Sequence, residues 1–304
     1  MSTLRFALIF FAMTLWNAAA LACSQCECGS PTPPGYLLET VSGRFSYGLE
    51  DRYLSKKNVL EDAPGSEEQT EHRISGLLFF RPSARLGMQA RLPYVLKTNV
   101  QSAVGESQVT THSHGIGDLN LRARLDLARF GAMFSPPRTL AVIADVTAPT
   151  GSDNQRDASG DRLDAHLQPG TGAWGGMGGV AFDASLHAYA VSASALVRIN
   201  GTNGYGYHYG NTLLLNAGCA RTLSPSWEAA LELNARSARH DLTEEGTDDP
   251  NSGGSLLYVA PSVRYSLIGV ASVQLLVQVP VAQALYGDQT ERTTARLGIV
   301  FSGI

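Results

Sequence analysis

Along most of this chain apolar and polar residues alternate one for one. In HGIGDLNLRARLDLARF (114–130), Leu119, Leu121, Leu125 and Leu127 alternate with Asn120, Arg122, Arg124 and Asp126. A period of two is the signature of a strand with one apolar and one polar face. On 85–97, Leu86, Met88, Ala90, Leu92, Tyr94 and Leu96 share a face opposite Arg85, Gln89, Arg91 and Lys97. Leu231 and Leu233 oppose Glu228, Glu232, Asn234 and Arg236, and Val273 to Val281 oppose Gln274 and Gln278. The pattern predicts about twelve strands, near 42–54, 72–81, 85–97, 117–129, 138–149, 173–184, 187–200, 207–221, 226–238, 255–266, 270–284 and 292–302. Glycines and mixed parity leave the facing of 173–184 and 207–221 open.

The connections alternate in length. Brief ones (RPSA, SL, LSPS, LIGV) separate long polar ones such as 55–72, 98–115, 149–172 and 238–254. Short periplasmic turns and long outer loops are the pattern of a transmembrane barrel, whose apolar faces meet lipid and whose polar faces line a wet lumen. Tyr47, Phe80, Tyr94, Trp174, Trp227, Tyr265 and Phe301 stand near strand ends, where interfacial girdles sit. Composition agrees. Only 16% of residues are charged, against roughly 25% in soluble domains. No apolar run after the leader is long enough for a membrane helix. The expected fold is a single antiparallel transmembrane β-barrel.

Residues 1–22 read as a signal peptide: Arg5, an apolar run from Phe6 to Trp16, then Ala20-Leu21-Ala22. Residues 23–41 form a Cys/Pro-rich periplasmic segment, and 42–304 the barrel. Export and a barrel together place the mature chain in a Gram-negative outer membrane. Leu297, Ile299 and Phe301 are the expected signal to the barrel assembly machinery, set three residues before the end.

GIGDLNLRARLDL (115–127), TAPTG (147–151) and the stretch from LLYVAPSVRYS to RLGIVF (256–301) resemble the MetA-pathway of phenol degradation family. The likeness spans about 115–304. It implies an outer-membrane barrel that passes small organic compounds. CSQCECG (23–29) lies outside it, so the resemblance assigns that motif no role.

Polar parity assigns Arg44, Arg52, Arg73, Arg85, Arg91, Arg122, Arg124, Arg198, Arg236, Arg264 and Arg296 to the lumen, against Glu50, Asp118, Asp126, Asp145, Glu228 and Glu232. This lining is net basic by about five charges beneath outer loops of about −11. A cationic bore under an acidic mouth favours passive passage of anionic or aromatic organic solutes. The alternative is a non-conducting barrel whose paired charges fill the interior. In that case the Cys-rich segment would engage a periplasmic partner. Cys23, Cys26 and Cys28, with Cys219 beside the turn at 222–225, are candidate ligands for a soft metal, or form disulfides. No other cofactor is expected. His112-Ser113-His114-Gly115 has its serine one residue early for an outer-membrane phospholipase, so no enzyme is expected. A net charge of −4 argues against nucleic acid as a partner.

Overall fold

The computed structural model describes residues 44–303 apart from 60–64, 104–107, 132–137 and 268–269. The leader, the Cys/Pro-rich segment and the Cys23, Cys26 and Cys28 site therefore lie outside the described residues. The strands are β1 (Phe45–Val59), β2 (Gly65–Phe80), β3 (Leu86–Ala103), β4 (Val109–Ile116), β5 (Leu119–Phe130), β6 (Arg138–Ala148) and β7 (Gly175–Leu186). They continue with β8 (Tyr189–Asn200), β9 (Thr212–Thr222), β10 (Trp227–Ala238), β11 (Gly254–Leu267), β12 (Ala271–Leu285), β13 (Thr290–Glu291) and β14 (Thr294–Ser302). All pairings between them are antiparallel. β4 and β5 run as one stave along β3, and β13 and β14 as one along β1, which gives twelve staves. β1 pairs with both β2 and β14, so the sheet closes on itself. Closure leaves no open sheet edge in hydrocarbon, the condition for spanning a membrane with strands.

The two faces are inverted relative to a soluble sheet. Leu92, Leu121 and Leu231 point outward at 46%, 50% and 54% exposure, while inward Glu232, Asn234 and Arg236 are almost fully buried. At the periplasmic end, rings pair across neighbouring strands: Phe45 with Phe80 at 4.6 Å, Tyr47 with Phe301 at 5.3 Å and Trp227 with Tyr265 at 4.9 Å. These form the lower girdle.

Two expected loops are mostly strand. β1, β2, β3 and β4 extend through much of 55–72 and 98–115, in register from Lys57↔Glu68 and Glu68↔Val100 to Val100↔Thr110. Their polar sequences suit a sheet that stands above the lipid, where backbone pairing continues without an apolar belt. The long connection at 149–172, by contrast, turns across the mouth.

Candidate functional site: lumen and mouth loop

The inward parity of the strands builds a charged wall. Glu71 accepts from Arg73 at 2.9 Å and Arg52 at 3.1 Å, with Lys97 at 3.6 Å. Glu50 lies between Arg91 (3.4 Å) and Arg296 (3.7 Å). Glu291 accepts from Arg236 and from the Tyr258 hydroxyl. Asp145 accepts from Arg122 at 3.1 Å, Arg124 bridges Asp126 and Asp183, and Arg264 pairs with Glu228 at 2.8 Å. Asn234 donates to Glu232 at 3.3 Å. Buried ions hold their charge only when paired and hydrogen-bonded, so this wall is ordered electrostatically rather than by apolar packing.

The periodicity missed Lys56, Glu71, Asp183 and Glu291. Glu71 shares its face with Arg73 and Gln69, so the alternation at 69–75 could have shown it. Asp183 sat in the glycine-rich segment of unclear parity. Glu291 and Lys56 fell in stretches read as loop. Lys97 already stood on the polar face of 85–97, so the newly inward groups are one lysine against three carboxylates, and the lining is less basic than parity implied.

An apolar patch interrupts the charged lining on β6 to β9, which the sequence did not reveal, while Asp145, Asp183 and Arg198 face inward on the same strands. Ala141 and Ile143 of β6, Met177 and Ala181 of β7, Leu196 of β8 and Leu214 of β9 form one buried cluster. The expected uniformly charged bore is therefore mixed. Arg44 and Arg85 also depart from expectation. Both are exposed at the periplasmic rim, with the Arg44 guanidinium 5.7 Å from the Phe80 ring centroid.

Asp118 does not act as a simple lining charge. It occupies the break between β4 and β5, where its carboxylate accepts from the Gly151 amide (2.9 Å), the Thr171 amide (2.8 Å) and the Thr171 hydroxyl (2.6 Å). It thus fastens both ends of the 149–172 loop to the wall. The backbones meet here so closely that a Cβ on Gly151 would lie 2.7 Å from Gly170 Cα and 2.7 Å from the Gly117 carbonyl carbon. The GIGD and TAPTG motifs are the two halves of this knot.

Beyond the knot the loop is laced across the mouth around a single helical turn, Ala165–Leu167. Lys97 Nζ donates to the carbonyls of His166 (2.9 Å) and Gln168 (2.7 Å). Gln69 Nε2 donates to the His166 carbonyl at 3.2 Å, Tyr209 to that of Ala165 at 3.2 Å, and Ser113 to that of Leu167. The His166 ring seats against the loops after β8 and β10. Its Nε2 lies 3.0 Å from Asp249 Oδ2, 3.8 Å from Asp241 Oδ2 and 2.8 Å from the Tyr207 hydroxyl, which donates to Asp241 at 2.8 Å. Beneath the loop a cavity of about 30 Å³, bordered by Arg73, Arg198, Asn200 and Tyr209, has room for about one water.

Burial alone would lower the His166 pKa. The hydrogen bond with Asp249 and the negative charges of Asp164 and Asp241 outweigh it and the opposing Lys56, and the pKa lies above the ordinary 6.5. Burial likewise opposes ionisation of Asp249, but the bond from His166 leads the groups that hold its pKa below the usual carboxylate value.

Ser113 faces inward and is occupied by the loop, while His112 and His114 point outward. The Cys219 thiol is free and faces outward on β9, where its register partners are Leu231 and Val191. It stands near the turn at 222–225, as expected, on the outward face of the strand. Among the described residues no group of three or more His, Cys, Asp or Glu is arranged to hold a metal ion.

Residues 69–279 match the family model described as "Putative MetA-pathway of phenol degradation". No curated protein matches in sequence. Among solved structures, an outer membrane channel from Pseudomonas putida F1 superposes with a TM-score of 0.62 at 15% identity, over 90% of this chain and 100% of that one. The translocator domain of the autotransporter NalP from Neisseria meningitidis gives 0.46 at 11% identity, over 88% and 94%. The CymD monoaromatic hydrocarbon channel gives 0.42 at 9% identity, over 88% and 90%.

Two outcomes follow from the mouth geometry. Asp118→Ala removes three hydrogen bonds to a carboxylate, a loss of about 3 kcal/mol in loop docking. Trypsin is then expected to cut at Arg156 and Arg162 at least tenfold faster; an unchanged rate would show that the knot does not hold the loop. The second outcome is a pH dependence. The raised His166 pKa contributes docking energy that is fully present below the ordinary histidine value and lost as pH rises through the raised one. The lowered Asp249 pKa contributes energy present above the ordinary carboxylate value and lost as pH falls through its own. At neutral and mildly acid pH the wild-type loop should resist cleavage better than His166→Ala. The two rates should converge on the alkaline side. A constant ratio across that range would remove His166 from the docking.

Proposed function

The chain belongs to the MetA-pathway of phenol degradation family, and on that footing we propose that it is a passive outer-membrane channel for small organic solutes. The preferred solute carries an aromatic-sized apolar body and an anionic group. The observation that carries this reading is the mixed lining of the lumen. The stripe of Ile143, Met177, Leu196 and Leu214 on β6 to β9 offers an apolar surface, and Arg52, Arg73, Arg91 and Arg296 on β1, β2, β3 and β14 offer guanidinium groups. A solute with one apolar and one carboxylate face would replace on both sides the hydration that it leaves in water. Guanidinium is the side chain best matched to a carboxylate, because its fork donates two parallel hydrogen bonds. The family description supports organic compounds as the class, and the outer membrane channel with which the chain superposes shares its fold.

In the closed arrangement described above, the space beneath the mouth loop holds no aromatic ring. Passage therefore includes displacement of the 152–170 segment, with its docking contacts as the barrier. The density of ion pairs favours a second reading, in which the charges fill the interior permanently and the barrel does not conduct. In that reading the Cys-rich segment would serve a periplasmic partner or a soft metal.

Flux into proteoliposomes separates the two. The channel reading expects benzoate and benzyl alcohol to enter faster than glucose, with benzoate favoured over an aromatic ammonium of similar size. Equal and negligible entry of all four into vesicles containing folded barrel would support the filled interior.

A further inference from the structure

At the periplasmic end of the lumen, below the charged wall, a cavity of about 190 Å³ opens between the β2–β3 turn and β5. Four arginines line it: Arg81 and Arg85 from the turn, and Arg124 and Arg129 from β5. The lining includes a single carboxylate, Asp126, which already accepts from Arg124 at 3.1 Å and Arg129 at 2.8 Å. Arg124 also reaches Asp183.

The backbone is shaped for this gathering. Strict alternation from inward Asp126 would turn Arg129 toward lipid. The register of β5 against β6 instead shifts between Asp126 and Ala128, and Arg129 comes opposite inward Thr139, which lines the same cavity. A bulge re-aims a side chain in this way. Opposite Arg124 on β3 stands Gly87, so no side chain from that position fills the space. Arg129 also donates to the Ala84 carbonyl and so ties the turn to β5. Guanidinium forks gathered around one space offer paired N–H donors to a carboxylate that enters it.

We propose that this cavity is a binding site for the carboxylate of an organic anion, a last station on the periplasmic side of the channel. The inference rests on the reading of the barrel as a solute channel and adds a site to it. A lipid phosphate offers related chemistry. Gly87, Arg124, Asp126 and Thr139 of its lining face the lumen and not the leaflet, which favours a solute as the source.

The test is calorimetric titration of benzoate into the full-length folded protein in detergent at low ionic strength. Benzyl alcohol and inorganic phosphate serve as comparison probes, and the variants are Arg85→Ala/Arg129→Ala and Arg85→Lys/Arg129→Lys. Arg124, buried in its ion pairs, is left intact, and folding of each variant is checked by its heat-dependent electrophoretic shift. The expected result is saturable benzoate binding that weakens at least tenfold in the alanine pair. The lysine pair should be intermediate, because it keeps charge without the guanidinium fork. Benzoate affinity equal in wild type and alanine pair overturns the site, as does phosphate binding tighter than benzoate. Wild-type benzyl alcohol flux into vesicles is scored separately. Flux without arginine-dependent binding leaves the channel and removes the site. Arginine-dependent binding without flux leaves the site and removes the channel.

Discussion

Between hydrocarbon tails an amide finds no water, and a strand that crosses there must pair along both edges. The closing pairs of β1 with β2 and with β14 meet that demand, and most other features follow from it. A closed ring of strands divides every side chain by parity into lipid-facing and enclosed. The outer set is uniform because lipid is uniform. The inner set is enclosed with only itself as a partner, and its charged members must find counter-charges across strands. That is why Glu71, drawn from β2, collects arginines from β1 and β2 and a lysine from β3.

The mouth loop obeys the same economy of partners. Its carbonyls turn inward, where water is scarce, and Lys97, Gln69, Ser113 and Tyr209 supply the donors. Its two ends cross where three glycine backbones approach within reach of one carboxylate. The motif that resembled a family signature is therefore a device for fastening a loop and not a piece of chemistry. The loop's ties to the barrel wall are largely hydrogen bonds to its carbonyls from Lys97, Gln69 and Ser113, so it can undock without disturbing the pairing of the strands.

Much of this was legible in the sequence. The lipid and lumen faces of β3 and β10 followed directly from parity, since each keeps unbroken alternation, and those of β5 did so as far as Asp126. The apolar stripe did not, because β7 reads GGMGGVAFDAS and its glycines erase the contrast on which parity depends. Arg129 was hidden by the bulge after Asp126, which shifts parity without a mark in composition. Lys56 and Glu291 were hidden because strands continue beyond the lipid, where polar sequence no longer distinguishes strand from loop. Asp118 was assigned to the lumen correctly in direction, but its partners lie more than thirty residues away in sequence, and only the folded loop brings them close.

The central claim is that the mixed lumen is a path with a cationic bias. The most direct measurement is single-channel current through the refolded protein in a planar bilayer under a potassium chloride gradient. The account predicts discrete openings, rarer while the mouth loop is docked, with a reversal potential on the chloride side. A verified folded barrel that passes no current after excision of the 153–168 segment would contradict it, and so would a reversal potential on the potassium side.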